Sequence, residues 1–246
     1  MSNSSYKFVE KVTEVLNRIT EEQMPNIEKA AQAIAKSLMD GGVLNIFGSG
    51  HSHMLVEEAF HRAGGLVPIN PLNQQYLSPF NPGRSGRLER LPGIADIILD
   101  YYKPQAGEVI IIISNSGINA VPVEMALGAK ERGLQVVAIT SIEHAKGAPA
   151  RHESGKKLYE LADIVIDNCG VLGDALLEVE GVPAKLGPSS TIAGATIINA
   201  ITVRVAEIMQ EAGVTPPVLL SQNMEGAADH NAQLLKQYAG RLKWIS

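Results

Sequence analysis

Twice in this chain a five-residue run of buried-strand character ends in small polar residues and passes straight into a helical pattern. Val43-Leu44-Asn45-Ile46-Phe47 leads into Gly48-Ser49-Gly50-His51-Ser52, then helical spacing through Leu55, Ala59 and Ala63. Val109-Ile110-Ile111-Ile112-Ile113 leads into Ser114-Asn115-Ser116-Gly117-Ile118-Asn119, then a helix to Arg132. A strand without polar alternation has to be buried on both faces, and a parallel sheet with helices on either side does this. Leu66-Val67-Pro68-Ile69, Val136-Val137-Ala138-Ile139-Thr140 and Ile164-Val165-Ile166 supply three further short strands. The first of these belongs nearer an edge, because its proline cannot donate to a ladder. The expectation is an α/β fold, a three-layer sandwich around a mostly parallel five-stranded sheet.

Helical segments flank this core. Phe8, Val12, Val15, Leu16 and Ile19 fall three and four apart, on one face. Pro25 suits the first turn of a second helix, whose apolar stripe runs from Ile27 to Leu38 before Gly41-Gly42. The tail from Glu225 to Trp244 is amphipathic through Ala228, Leu234, Leu235, Tyr238 and Leu242. One domain is expected over residues 1–246, with a helical arm (1–40), a core (41–213) and a C-terminal extension with a helix (214–246). Residues 70–93, 141–157 and 170–190 read as long loops. The first is proline-rich, with Arg84, Arg87 and Arg90, and the second holds His144, His152 and four Lys or Arg.

Hydrophobic residues at 45% against 19% charged fit a globular chain. A net charge of −5 argues against broad nucleic-acid binding. A lone cysteine, Cys169, excludes an intrachain disulfide, a zinc ribbon and a CxxC redox pair. No apolar run approaches the ~18 residues of a membrane span, and the N-terminus has no signal-peptide core. A cytoplasmic protein is expected, with no membrane and no nucleic-acid partner.

The two loops carry the chemistry. Helix N-termini offer unpaired N–H groups and a positive dipole end, which suit a phosphate. Glycine permits close backbone approach, and Ser and Asn add donors. Ordinary helix capping explains either loop taken alone. Two of them at the carboxyl edge of one parallel sheet point to a ligand crevice. The dinucleotide fingerprint fails at its third position, His53, and there is neither a Walker A motif nor a GxSxG elbow. His51 and His53, with Glu57 or His61, lack a fixed metal-ligand spacing, so no metal and no cofactor are expected. Arg84 and Arg87 suit either a cover over a bound phosphate or a solvated basic loop.

GSGHSHMLVEEAF and VIIIISNSGINAVPVEMALGAKERGLQVVAITS resemble the two signature blocks of the SIS (sugar isomerase) domain family. The resemblance runs on through LADIVIDN and GPSSTIAGATIINA, over roughly residues 40–210, and is to the phosphoheptose-isomerase-like branch. It implies a five-stranded parallel sheet flanked by helices, and a site for phosphorylated sugars. Such sites serve isomerases, amidotransferase isomerase domains, etherases and sugar-sensing regulators. Residue by residue, it implies that Ser114, Ser116 and Asn119, with Asn115 and Gly117 between them, hold the phosphate. Asn119 stands where many relatives carry Thr or Ser. Ser52, beside Gly48, Ser49, Gly50 and His51, matches a first-loop serine that contacts the ligand. Ser189, Ser190 and Thr191 resemble a third hydroxyl cluster.

The resemblance also implies catalytic residues. Glu58 and His61, expected on one helix face with Glu57 nearby, match the region of an acid/base carboxylate. His230 is the candidate for ring opening, in its own subunit or a neighbouring one. Two positions depart from the pattern: Asn199 stands near a late-helix histidine of the isomerases, and Ile118 replaces a glutamate of other branches. The expected function is phosphosugar binding with aldose–ketose isomerisation. A non-catalytic phosphosugar sensor, or a sugar-phosphate lyase or etherase, is the alternative. A homodimer or homotetramer is expected, because the first two helices carry more apolar face than one sheet needs.

Overall fold

The computed structural model describes residues 3–244. Its five main strands are β1 (Leu44–Gly48), β2 (Ile69–Pro71), β3 (Val109–Ile113), β4 (Gln135–Thr140) and β5 (Ile164–Asp167). They pair in the order β2-β1-β3-β4-β5, every neighbour parallel. The β-branched runs make this possible, since their residues fill both faces at once. Along β3, Val109, Ile111 and Ile113 enter one apolar cluster, while Ile110 and Ile112 enter the other. On the first face lie α1 (Ser4–Glu22), α2 (Met24–Met39), α3 (His53–Ala59) and α9 (Ser190–Glu211). On the second lie α5 (Ile94–Tyr102) and α6 (Ala120–Glu131), with Leu158 of α8 (Leu158–Leu161). The three-layer expectation and the five-stranded parallel sheet both hold.

Differences from the sequence reading are local. The edge strand is Ile69–Pro71, three residues later than the apolar run begins, while Leu66 bridges antiparallel to Val218. The stretch 70–93 is ordered, with a 3₁₀ turn at Gln75–Leu77 and a short helix, α4 (Pro82–Leu88). Residues Ala175–Leu177 (β6) and Leu186–Pro188 (β7) form an antiparallel hairpin, and Ile142–Lys146 forms α7. The expectation of no span-length apolar segment also needs amending. The 22-residue α9 has the length and apolarity to cross a membrane. Its Ala193, Ile197, Ile198, Ile201, Val205 and Met209 are buried in the first-face cluster, so one face of this helix belongs to the core, while Ile192 and Val203 are exposed.

The C-terminal extension docks on the β2 edge. After α10 (Ala227–Gln237) the chain returns so that Trp244 Nε1 donates to the Ile69 carbonyl at 3.0 Å. Arg241 pairs with the buried carboxylate of Glu108, which also accepts from the Val43 and Gln105 amides and Asn45 Nδ2. Glu108 precedes β3, so this polar cluster sits at the amino edge of the sheet, opposite the loops that follow the strands.

Candidate functional site

The strand order places the site. From β1 the chain crosses to β2 on one side, and from β3 to β4 on the other. The loops leaving β1 and β3 therefore diverge, and a crevice opens between neighbouring strands at their carboxyl ends. A cleft of about 430 Å³ lies there. Of the residues expected to bind, Ser49, Gly50, His51, Ser52, Ser114, Asn115, Ser116, Asn119, Ser190 and Thr191 all line it.

The backbone of both loops depends on glycine. A Cβ on Gly48 would lie 2.4 Å from the Ser52 carbonyl oxygen, so the chain turns onto α3 only because nothing is there. Gly117 adopts φ 61°, and Ser114 Oγ accepts from its amide at 3.2 Å, curling the second loop ahead of α6. Below it, Asn168 Nδ2 donates to Asn115 Oδ1 at 2.8 Å and fixes the cleft floor. The hydroxyl of Ser116 makes no hydrogen bond among the described residues. Asn119 precedes α6 without capping it. Its Oδ1 instead accepts from Arg151 Nη1 at 2.9 Å, which brings a guanidinium to this end of the cleft. The α6 terminus itself is partly consumed: the Val121 amide donates to the Glu89 carbonyl, and Pro122 has no N–H. Side chains and Arg151 therefore carry more of any anion binding than the helix end does.

Two carboxylates face the same cleft. Glu89, just after α4, accepts from Ser49 Oγ at 2.7 Å through Oε1, while Oε2 has no partner among the described residues. Asp174 stands at the start of α9, where its Oδ1 accepts from the Ser190 amide at 2.8 Å and the Ser189 amide at 3.0 Å. Its Oδ2 accepts from Ser190 Oγ at 2.6 Å. The third hydroxyl cluster is thus divided: Ser189 is buried against Asp174, Ser190 is held by it, and Thr191 lines the cleft. His144 also lines the cleft, its Nδ1 buried without a hydrogen-bond partner among the described residues.

Glu58, His61 and His230 lie apart from this cleft. The helix α3 ends at Ala59, and His61 takes φ 44° in the turn beyond it, so Glu58 and His61 do not share a helical face. Glu58 pairs with Arg62 and accepts from Asn199 Nδ2 at 3.1 Å. The two positions that the family pattern singles out, 58 and 199, are therefore neighbours, outside the cleft. His61 packs edge-on against Trp244, and His230 Nε2 meets the Val218 carbonyl at 3.1 Å. Arg84 and Arg87 flank a separate concavity with Gly83 and Leu88. His51 lines the cleft, whereas His53 is buried with Nδ1 3.3 Å from Glu57. Among the described residues no three His, Cys, Asp or Glu side chains converge as metal ligands.

Sequence reasoning missed Glu89, Arg151 and Asp174. Glu89 and Arg151 fall inside stretches read as loops, and nothing local in the sequence marks them. Asp174 lies 15 residues before Ser189, beyond any periodicity that would link them.

Five parallel strands in this order, with hydroxyl-bearing loops meeting at a cleft beside β1 and β3, define a sugar-isomerase type α/β domain. Residues 7–141 match the SIS domain profile, and the chain belongs to the SIS domain family. Along almost its whole length it is similar to a UPF0309 protein of Geobacillus thermodenitrificans. The two are 41% identical over 237 residues, covering 96% of this chain and 95% of that one. Its fold is similar to that of a phosphoheptose isomerase from Francisella tularensis, with TM-score 0.57 and 14% identity over 84% of this chain and 100% of that one. It is also similar to the fold of a phosphoheptose isomerase from Neisseria gonorrhoeae, with TM-score 0.53 and 17% identity over 84% of this chain and 96% of that one.

Proposed function

We propose that the cleft binds a phosphorylated sugar and that the chain interconverts its aldose and ketose forms. One observation carries this reading: a hydroxyl-lined loop beside Arg151 faces the same space as the carboxylate of Glu89. The phosphate is assigned to Ser114, Ser116, Asn119 and Arg151. A guanidinium and neutral donors suit a dianion and bring no competing carboxylate to it. Aldose–ketose exchange needs one group that takes a proton from C2 and returns it to C1. Glu89 is assigned that task, because it lines the cleft with Oε2 unpartnered among the described residues while Ser49 steadies Oε1. His51 and His144 are the groups within the cleft suited to assist ring opening. Glu58, His61 and His230 would act only in a cleft completed by a neighbouring protomer.

The test is a thermal-shift screen of sugar phosphates, followed by proton NMR in D₂O on any compound that stabilises the chain. Exchange at C2 with formation of the isomer supports the isomerase. Stabilisation without exchange moves the reading to a phosphosugar sensor, and release of a non-sugar fragment moves it to a lyase or etherase. Glu89→Gln should abolish exchange and leave binding within about threefold, since amide for carboxylate keeps the shape and removes the base. Retained exchange in Glu89→Gln with its loss in Glu58→Gln would return the catalytic role to α3.

A further inference from the structure

We propose that Glu124 is a positioning residue that holds the two working ends of the cleft at a fixed separation. The inference rests on the phosphosugar reading and deepens it; Glu124 does not line the cleft and acts through other residues. Glu89 and Arg151 arrive on segments far apart in the chain, and each segment is held at two points along α6 and the loop before it. The Glu89 carbonyl accepts from the Val121 amide at 3.0 Å, and four residues on, the Gly93 amide donates to Glu124 Oε2 at 2.8 Å. The Arg151 amide donates to the Ile118 carbonyl at 3.0 Å, and the neighbouring His152 places Nε2 3.6 Å from Glu124 Oε1. One carboxylate thus meets both segments, one oxygen toward each.

The local chemistry fits this task. The Ser154 amide donates to His152 Nδ1 at 3.3 Å, so the neutral ring carries its proton on Nε2, toward Glu124. Only 16% of the Glu124 side chain and 9% of the His152 side chain are exposed, so water competes little for the contact. The buried neighbours of Glu124 on α6 are apolar, among them Val121, Val123, Met125 and Ala126. A carboxylate among them costs free energy unless it is bonded, and the two segments supply the partners. The separation of Glu89 from Arg151 is thereby set by α6 and not by two independent loops. A sugar phosphate has to reach from Arg151 at its phosphate to Glu89 at its carbons, so binding and proton transfer both depend on that span. A misplacement of about 1 Å can lower a rate on the order of 100-fold.

The test combines titration with inorganic phosphate and a stabilising sugar phosphate, C2 exchange in D₂O, and thermal melts. His152→Ala releases the Arg151 segment alone. Kd should rise about three- to tenfold for both ligands, with exchange at saturating sugar phosphate kept within about twofold. Glu124→Ala releases both segments, so kcat should also fall about tenfold or more. Glu124→Gln keeps an oxygen for the Gly93 amide and lacks the second acceptor. It should therefore restore kcat to within about threefold of the natural chain while Kd stays raised. Adding His152→Ala to Arg151→Ala should weaken binding by less than about twofold further, because His152 acts through Arg151. Melting temperatures that drop while Kd and kcat hold mean a merely structural role and overturn the proposal. Full additivity of His152→Ala and Arg151→Ala overturns it too. Should Glu124→Ala not fold, Glu124→Gln and the cycle between His152 and Arg151 decide. If the natural chain binds sugar phosphate without exchange, the isomerase reading falls and that cycle decides alone. Binding of no probe at all removes the phosphosugar reading and this proposal with it, a distinct result from binding that ignores His152.

Discussion

Removing one hydroxyl, in Ser116→Ala, separates ligand anchoring from folding more cleanly than any other substitution in the cleft. Ser116 is half-buried and its hydroxyl bonds to nothing among the described residues, so its loss orphans no partner and opens no core cavity. Stability should stay within about 0.5 kcal/mol, as for surface substitutions away from special features. The ligand term is larger. A hydrogen bond to a charged group contributes about 1.5–3 kcal/mol, against about 0.5–1.5 kcal/mol for a neutral pair. If Ser116 holds the phosphate, affinity should fall about 10- to 150-fold. If it meets only a sugar hydroxyl, the fall stays below about 13-fold. Titration with a stabilising sugar phosphate and with inorganic phosphate gives the ratio, and a thermal melt gives the stability. A shared loss for both ligands, with an unchanged melting temperature, is the expected result. Unchanged affinity, or a loss confined to the sugar phosphate, would refute the assignment of Ser116 to the anchor.

Three further outcomes are expected. Gly48→Ala should destabilise the chain by about 1–3 kcal/mol by overpacking, because the new Cβ meets Ser52 backbone, which cannot rotate away; chemical denaturation measures it. Cys169 is buried, and burial with the nearby Asp167 charge pushes its thiol up to about 11 from 9.0. Its thiolate should thus be scarce at pH 8, and a disulfide reagent should label it only on unfolding. Since the folded thiol holds its proton more tightly than the unfolded one, this contribution to stability is complete below about pH 9. It should decline between about pH 9 and 11 in pH-dependent melts, and a Cys169→Ala chain should lack that component. Tyr6 and Val9 on α1 and Val203 on α9 are large apolar side chains more than half exposed. Light scattering should accordingly give a dimer or tetramer, and a mass near 26 kDa across micromolar concentrations would contradict this.

What the sequence determined by itself was the layering and the edge at which ligands bind. Continuous runs such as Val109–Ile113 leave no solvent face, so both faces must be covered, and strand-to-helix loops at the carboxyl ends follow from that. Ser114, Ser116 and Ser52 were legible because their position depends only on the strand before them and the helix after. Tertiary structure decided the rest of the cleft. Glu89 arrives on a segment that returns past β1 to reach Ser49, 40 residues back in the chain. Arg151 reaches Asn119 from 32 residues away, and Asp174 reaches the α9 terminus around a hairpin. Glu58 went the other way: helical spacing put it and His61 on one face, but α3 stops at Ala59, His61 falls in the turn beyond, and Glu58 is taken up by Arg62 and Asn199 outside the cleft. Local pattern fixes what a backbone hydrogen-bond ladder or a helix period enforces within a few residues. Which charges meet across a crevice depends on strand order and loop return, and these are set by packing of the whole chain.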